Sequence, residues 1–444
     1  MTFYKKRIFS YLLFLSSIFL IVYLYYRSEV IWNGNNEQYY RIYKNISYFL
    51  IIFSIVTFFL SSKIYNYLII ILLSTILSLY SFEFYTALNK NKDIHLDYKK
   101  EIYKKQTGEN YDVRSVEEVY EDLKKIDKTA TVKVNPSNYL NYSNNDIFPL
   151  SGISKSKTVY QNENGYYMIY DSDRYGFNNP DDQWDNNEIE YLLIGDSFVH
   201  GAAVNRPDDI ASVLRFLSGK KAISLGYSAN GPLIELASLV EYFGENNSLT
   251  ARNVLWFFTD NDIQGLIYEL ENELLKRYLH DENFKQNLLN KQDEVDSIAQ
   301  ATINKVKSDK VKFNIIRNLK LYNIRDLIFN LNKQNKQDNL LIPEELHQIF
   351  LRVKNISNLK QSNLFFIYIP DPRLYFDNNY SYYIRENIKK IIENLNIPII
   401  DIHELLSLKE TNIKKLYPFE QFGHYNPDGY NKVASEIYNY IVNF

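Results

Sequence analysis

The chain has 444 residues, with 50 Lys+Arg against 53 Asp+Glu and a formal net charge of −3. That length accommodates a membrane segment plus one large or two small soluble domains, and the near-neutral balance, with no basic stripe of interleaved aromatics, argues against nucleic-acid binding. Cysteine is absent, which excludes disulfides and thiolate metal sites, and the 40 tyrosines are spread along the whole chain and point to no function.

The first ninety residues are unlike the rest. Residues 8–26 carry no charge, follow Lys5-Lys6-Arg7 and are long enough to span a bilayer. A signal peptide would have a shorter apolar run and a small-residue cleavage site, where this run ends in Tyr-Leu-Tyr-Tyr-Arg. Residues 46–62 and 64–82 are two further uncharged runs with Lys63 at the turn between them. Residues 1–90 are therefore expected to be a transmembrane region of three spans. With the N-terminus inside, Lys5, Lys6, Arg7 and Lys63 lie on the cytoplasmic side, Arg27, Arg41 and Lys44 in the first outer loop, and the rest of the chain outside. If one run is not a span, the rest lies in the cytoplasm.

Residues 91–145 turn polar and charged and are read as a stalk, with an amphipathic helix at 116–126. The segment before residue 189 holds Asn-Gly and Asn-Pro steps between short aromatic runs, which predicts hairpins packed against a sheet. Strands are then expected at 189–194, 222–225, 254–258, 364–369 and 398–402, alternating with helices. The strand at 364–369 is apolar on both faces, as in a parallel strand covered by helices. Residues 263–360 exceed one crossover and read as a helical insertion, placed near Asn261 as a lid, a docking surface or plain packing. The fold class is α/β, a three-layer α/β/α sandwich around a parallel sheet, with its site at the carboxyl ends of the strands.

At the first strand end stands Gly195-Asp196-Ser197-Phe198-Val199-His200-Gly201, which presents a serine on a sharp turn. The strand at 254–258 ends in Thr259-Asp260-Asn261-Asp262, so Asn261 shares that sheet edge and can donate to an oxyanion, with Asp262 orienting it. Between them Ser224-Leu225-Gly226-Tyr227-Ser228-Ala229-Asn230-Gly231-Pro232 forms a small-residue turn able to offer a backbone N–H. Late in the chain, Gly423-His424-Tyr425-Asn426-Pro427-Asp428 reads as a histidine on a loop just ahead of a helix capped by Asn426, which suits a general base. His200 can touch substrate from the first turn after Ser197, and His403 beside Asp401 is a reserve base. His95, His280 and His347 are read as surface or packing residues. Asp196 is expected to hold the turn. No metal-ligand spacing, Walker loop or dinucleotide fingerprint is present, so no cofactor is expected.

This order of Gly-Asp-Ser, small-residue turn, Asn-Asp and late histidine resembles the SGNH (GDSL-type) hydrolase family over roughly residues 171–444. The resemblance implies Ser197 as nucleophile, His424 as base, and Asn261 with Ala229 or Gly231 as oxyanion donors. It also implies an aspartate two or three residues before the histidine, where this chain has Gln421 and Phe422. Glu420 is the candidate acid, the alternative being a Ser–His dyad oriented by a carbonyl. Pro149-Leu150-Ser151-Gly152, Asn162-Glu163-Asn164-Gly165 and Ser172-Asp173-Arg174-Tyr175-Gly176-Phe177-Asn178-Asn179-Pro180 are similar to a region preceding the core in bacterial membrane-associated members. There Arg174 and Tyr175 either reach substrate or belong to a segment that only covers the sheet edge. The resemblance implies an inner-membrane esterase facing away from the cytoplasm and acting on O-acyl, above all acetyl, esters of an envelope or exported polysaccharide. Two other readings stand beside it: an O-acyltransferase served by a multi-span membrane acyl-donor partner, and a decayed glycan-binding or assembly scaffold.

Overall fold

The computed structural model describes residues 7–31, 34, 37–89, 95–142, 147–244, 247–330, 341–378 and 380–444. The chain divides into two units, Met1–Asn91 with Asn314–Asn332, and Lys92–Phe313 with Lys333–Phe444.

In the first unit the three expected apolar runs are helices, Ile8–Tyr25, Glu37–Phe59 and Ser62–Asn89. Each is long and apolar enough to cross a membrane. The first two run antiparallel. Arg7 at the start of one donates to the carbonyl oxygens of Thr57 and Leu60 at the end of the other, and Thr57 Oγ1 donates to Ser10 Oγ at 2.8 Å. These bonds satisfy carbonyls that a helix end otherwise leaves unpaired. A stretch of the expected insertion also belongs here. Buried Glu83 accepts hydrogen bonds from Asn323 N, Asn323 Nδ2 and Ile324 N, each at 2.9 Å, and so caps the helix Tyr322–Asn330. A sequence reading that assigns all of 263–360 to the soluble domain misses this, because the carboxylate that captures the helix lies 240 residues earlier.

The second unit is built on five parallel strands: β4 (Glu188–Ile194), β5 (Ala222–Ser224), β6 (Thr250–Phe258), β7 (Asn363–Tyr368) and β8 (Ile399–Asp401), in the order β5-β4-β6-β7-β8. Their residues alternate between two cores. Leu192, Ile194, Val254, Trp256 and Phe366 face one core, which the helices Pro232–Phe243, Glu345–Leu359 and Tyr383–Asn394 cover. Leu193, Leu255, Phe257, Phe365 and Ile367 face the other, covered by Ile210–Ser218 and Pro427–Asn443. Burial on both faces explains the continuous apolar runs, and each such side chain contributes about 1.5–3 kcal/mol. The result is the expected three-layer α/β/α sandwich.

Residues 91–145, expected to be a stalk, are folded where they are described, with 91–94 and 143–145 outside the described residues. The helix Val116–Ile126 is present with a Ser115/Glu118 capping box. After it β1 (Thr131–Val132) pairs in parallel with β2 (Lys157–Asn162), which pairs antiparallel with β3 (Tyr167–Asp171). Val119, Ala130, Val134 and Tyr139 are buried, which a solvated stalk would not do. The motif at 172–180 covers the sheet edge. Asn179 exchanges two hydrogen bonds with the backbone of Ser224 on edge strand β5, while Asp173 accepts from Tyr175 N, Phe177 N, Asn179 Nδ2 and Trp184 Nε1. Arg174 is held by Asp181 and Asp185, and the Tyr175 ring packs on Trp184 and Tyr242. Both side chains are engaged in covering that edge.

Candidate active site

β4 delivers Gly195 to a turn too tight for a side chain, since a Cβ there would lie 2.6 Å from Val199 Cγ2. Asp196 caps the helical turn Ser197–His200 by accepting from Phe198 N at 3.0 Å. Ser197 Oγ is thereby set 2.8 Å from His424 Nε2 and 3.1 Å from Asp196 Oδ2. The histidine is fixed from its own side. Asn426 caps the C-terminal helix through Gly429 N at 2.8 Å and ties back through its N–H to Leu416 O, while the Phe198 ring packs 5.1 Å from the imidazole.

The carboxylate on the imidazole is Glu163. It sits on the turn between β2 and β3, where Asn162 Oδ1 accepts from Gly165 N and Gly165 takes a φ of +93°. A Cβ on Gly165 would lie 2.3 Å from the Tyr103 ring, so that turn needs glycine. Glu163 Oε1 lies 2.9 Å from His424 Nδ1, Oε2 accepts from His424 N at 2.8 Å, and Gln161 Nε2 donates to Oε1 at 2.7 Å. An ionised carboxylate only accepts, so it places the ring proton on Nδ1 and turns the Nε2 lone pair toward Ser197. Burial works to lower the pKa of His424, but the charges of Glu163 and Asp196 and the Glu163 hydrogen bond outweigh it, and the net shift is upward. For Glu163, burial is opposed by the charge and hydrogen bonds of His424 and by Lys99, with a net shift downward.

Glu420 does not occupy this position. It stands on the exposed side of the loop, and its carboxylate accepts from Asn412 Nδ2 at 3.3 Å. Position along the chain suggested it, but the turn before His424 points it away. The other reserve pair is also apart from the site: Tyr375 OH is 2.9 Å from His403 Nδ1, and Asp401 pairs with Arg385 and Lys389. His200 is buried between Tyr160, Tyr170 and Tyr227 rather than facing substrate. Its Nδ1 lies 3.0 Å from Ser228 Oγ, and burial lowers its pKa well below the ordinary range, so it is a neutral link between the Ser197 turn and the Ala229 turn.

Of the oxyanion candidates, Asn261 follows β6, the neighbour of β4, and is exposed at the same sheet edge. Thr259 Oγ1 donates to Asn261 Oδ1, Asn261 Nδ2 makes no hydrogen bond among the described residues, and Asp262 braces the turn by accepting from Thr259 N at 2.7 Å. Ala229 is exposed and holds a φ of +61°, and its N–H has no acceptor among the described residues. Tyr227 N donates to Gly195 O at 3.2 Å, which ties this turn to the serine's turn. Gly231 is not free to donate. Buried Glu269 accepts from Gly231 N, Leu233 N and Ile234 N, so the N–H expected for an oxyanion is spent on capping the helix Pro232–Phe243. Between them the Asn230 amide is buried with neither its oxygen nor its nitrogen hydrogen-bonded among the described residues. Among the described residues no group of three or more His, Asp or Glu side chains is placed to hold a metal ion.

No family model matches this chain, and no curated protein does. Among solved structures it is similar to one described as a lipolytic protein of the G-D-S-L family from Desulfitobacterium hafniense DCB-2, at 13% identity over 57% of this chain and 99% of that one, with a TM-score of 0.31. It is also similar to the acetyl xylan esterase AlAXEase, at 12% identity over 57% of this chain and 100% of that one, again with a TM-score of 0.31. The parallel sheet, the serine leaving β4 and the histidine ahead of the last helix are the arrangement that the resemblance to SGNH hydrolases implies.

Proposed function

We propose that the chain is a membrane-anchored serine esterase of SGNH type that removes O-acyl, chiefly acetyl, groups from an envelope or exported polysaccharide. The observation that carries this reading is the continuous hydrogen-bonded line from Ser197 Oγ through His424 to Glu163, at 2.8 and 2.9 Å. Ser197 Oγ attacks the ester carbonyl as its proton passes to His424 Nε2. Glu163 stabilises the imidazolium through Nδ1–H, while Asn261 Nδ2 and Ala229 N–H receive the oxyanion. The sugar hydroxyl leaves with the proton from Nε2. Water, deprotonated by His424, then attacks the acyl-serine and releases the carboxylic acid and the free serine. A positioned general base contributes about 10²–10⁴-fold, and each oxyanion donor about 10²–10³-fold.

The three apolar helices support anchoring, and with the N-terminus inside they carry the catalytic unit out of the cytoplasm toward an envelope polymer. The reading as a decayed scaffold drew its strength from the missing acid, a position that Glu163 fills. The test is hydrolysis of p-nitrophenyl acetate by the full chain in detergent micelles, wild type against Ser197→Ala and His424→Ala. Turnover abolished in both variants supports the proposal, and equal rates in all three contradict it.

A further inference from the structure

Residues 314–332 belong to the apolar unit, although in the chain they lie between β6 and β7 of the catalytic sheet. The chain therefore passes between the units at 91–92, 313–314 and 332–333, where a plain N-terminal anchor needs only the first crossing. Named bonds hold the segment in place. Buried Glu83, the first charge after the uncharged run 64–82, caps the helix Tyr322–Asn330 through Asn323 and Ile324. Three residues earlier on the same apolar helix, Tyr80 OH donates to Leu319 O at 2.9 Å. From the helix Glu37–Phe59, Tyr43 offers its ring to the Arg325 guanidinium, 5.3 Å from the centroid and just ahead of the uncharged run 46–62.

Both anchor points stand where an apolar run meets polar sequence, at the end of one candidate span and the start of the span before it. In a membrane-crossing helix that boundary lies at headgroup level, where tyrosines and cations collect, and a carboxylate is tolerated there when its oxygens are bonded. The segment has the matching composition. Ile316 and Leu319, three apart on one helical face, are exposed, as are Tyr322 and Leu327. Arg317, Lys320 and Arg325 are interleaved with them, and Asp326 is the one acidic residue between 314 and 332. Open apolar side chains beside cations, at that depth, fit the boundary between headgroups and acyl chains in a leaflet of anionic phospholipid. The apolar groups enter its hydrocarbon edge and the cations meet its phosphates.

We infer that residues 314–332 form an interfacial element that lies on the bilayer and binds anionic phospholipid headgroups, a second membrane attachment made from within the catalytic sequence. The inference rests on the membrane-anchored reading, and goes beyond it in assigning a lipid contact to a segment that no apolar run in the sequence marks.

The chain has no cysteine, so a single introduced one carries a fluorophore at a known place. The full chain is reconstituted in phosphatidylcholine vesicles with and without phosphatidylglycerol, labelled at Leu319→Cys, Leu327→Cys, Leu73→Cys in the third apolar helix, or exposed Ile126→Cys. The quenchers are nitroxide-bearing lipids and aqueous iodide. Labels at 319 and 327 are expected to be quenched by lipid-borne nitroxide about twofold or more above the label at 126, at shallower depth than the label at 73. Phosphatidylglycerol strengthens that quenching, Lys320→Glu removes the gain, and Lys320→Arg retains it. Labels at 319 and 327 that answer to iodide alone, or quenching indifferent to phosphatidylglycerol and to Lys320→Glu, overturn the inference. Shielding from both quenchers, with a cross-linked dimer of Leu327→Cys, assigns the face to a second copy of the chain and overturns it as well. A label at 73 untouched by lipid-borne quenchers is a separate result that overturns the anchored reading itself.

Discussion

Glu163 and His424 lie 261 positions apart in the chain and meet at two points: Oε1 is 2.9 Å from Nδ1, and Oε2 accepts from the backbone N–H of the same histidine at 2.8 Å. The second contact fixes the loop, and the first fixes the ring. Together they remove the freedom of a flexible imidazole to turn away from Ser197, which is the entropic part of a base's task.

Replacing Glu163 by Gln is therefore expected to lower kcat by roughly 10²–10⁴, because an amide stabilises no imidazolium and admits the wrong tautomer. Glu420→Gln, whose carboxylate hydrogen-bonds only Asn412 among the described residues, is expected to stay within about twofold of wild type. Steady-state kinetics on p-nitrophenyl acetate distinguish them. A larger loss in Glu420→Gln than in Glu163→Gln would reverse the assignment.

The raised pKa of His424 sets the acidic limb of the pH profile. His424 must be neutral to accept the serine proton, so activity is lost as pH falls through its pKa, and the shift is upward. The midpoint of kcat/KM should lie above about 6.5, the ordinary histidine value. Glu163→Gln removes the charge that raises it, so the midpoint moves to lower pH while the plateau drops. A midpoint unmoved by that substitution would count against the pairing.

Glu269 spends its carboxylate on three N–H groups at the start of the helix Pro232–Phe243, directly after the turn that presents Ala229. Glu269→Ala orphans those donors in the interior, at a cost of about 3 kcal/mol or more. A lowered thermal midpoint and a fall in kcat are expected together, because the turn that supplies an oxyanion donor loses its anchor. Unchanged stability in a thermal melt would show that the turn is held some other way.

Asp173 and Arg174 are neighbours with opposite expectations. Asp173 is fully buried under four donors, and Asp173→Ala should cost about 3 kcal/mol or more by leaving Trp184 Nε1 and backbone N–H groups unpaired. Arg174 pairs with partly exposed Asp181 and Asp185, and Arg174→Ala should cost no more than about 1 kcal/mol. Thermal melts of the two variants test the order.

Much of this is legible in the sequence itself. The five strands were readable because both-face burial writes continuous apolar runs, and the site at their ends followed from Gly195-Asp196-Ser197 and from Asn426-Pro427 ahead of the last helix. Glu163 was not, although its Asn-Glu-Asn-Gly turn was visible, because a turn residue gives no sign of which distant side chain it will face. Gly231 looked like a donor because sequence spacing cannot reveal that Glu269 caps the same N–H. Residues 131–134 looked like stalk, since a two-residue strand is too short to show a period and owes its existence to β2. The capture of Asn323 by Glu83 was hidden for the same reason as Glu163: both are contacts of high sequence separation between single polar groups.

The most direct measurement is covalent labelling of the full chain by a fluorophosphonate, with the modified residue located by peptide mass spectrometry. A serine activated by His424 and Glu163 should take one label, on Ser197. Labelling should vanish in Ser197→Ala, slow by about 100-fold or more in His424→Ala, and slow also in Glu163→Gln. Absence of label on Ser197 in the wild type, or an unchanged labelling rate in His424→Ala, would contradict the Ser197–His424–Glu163 site.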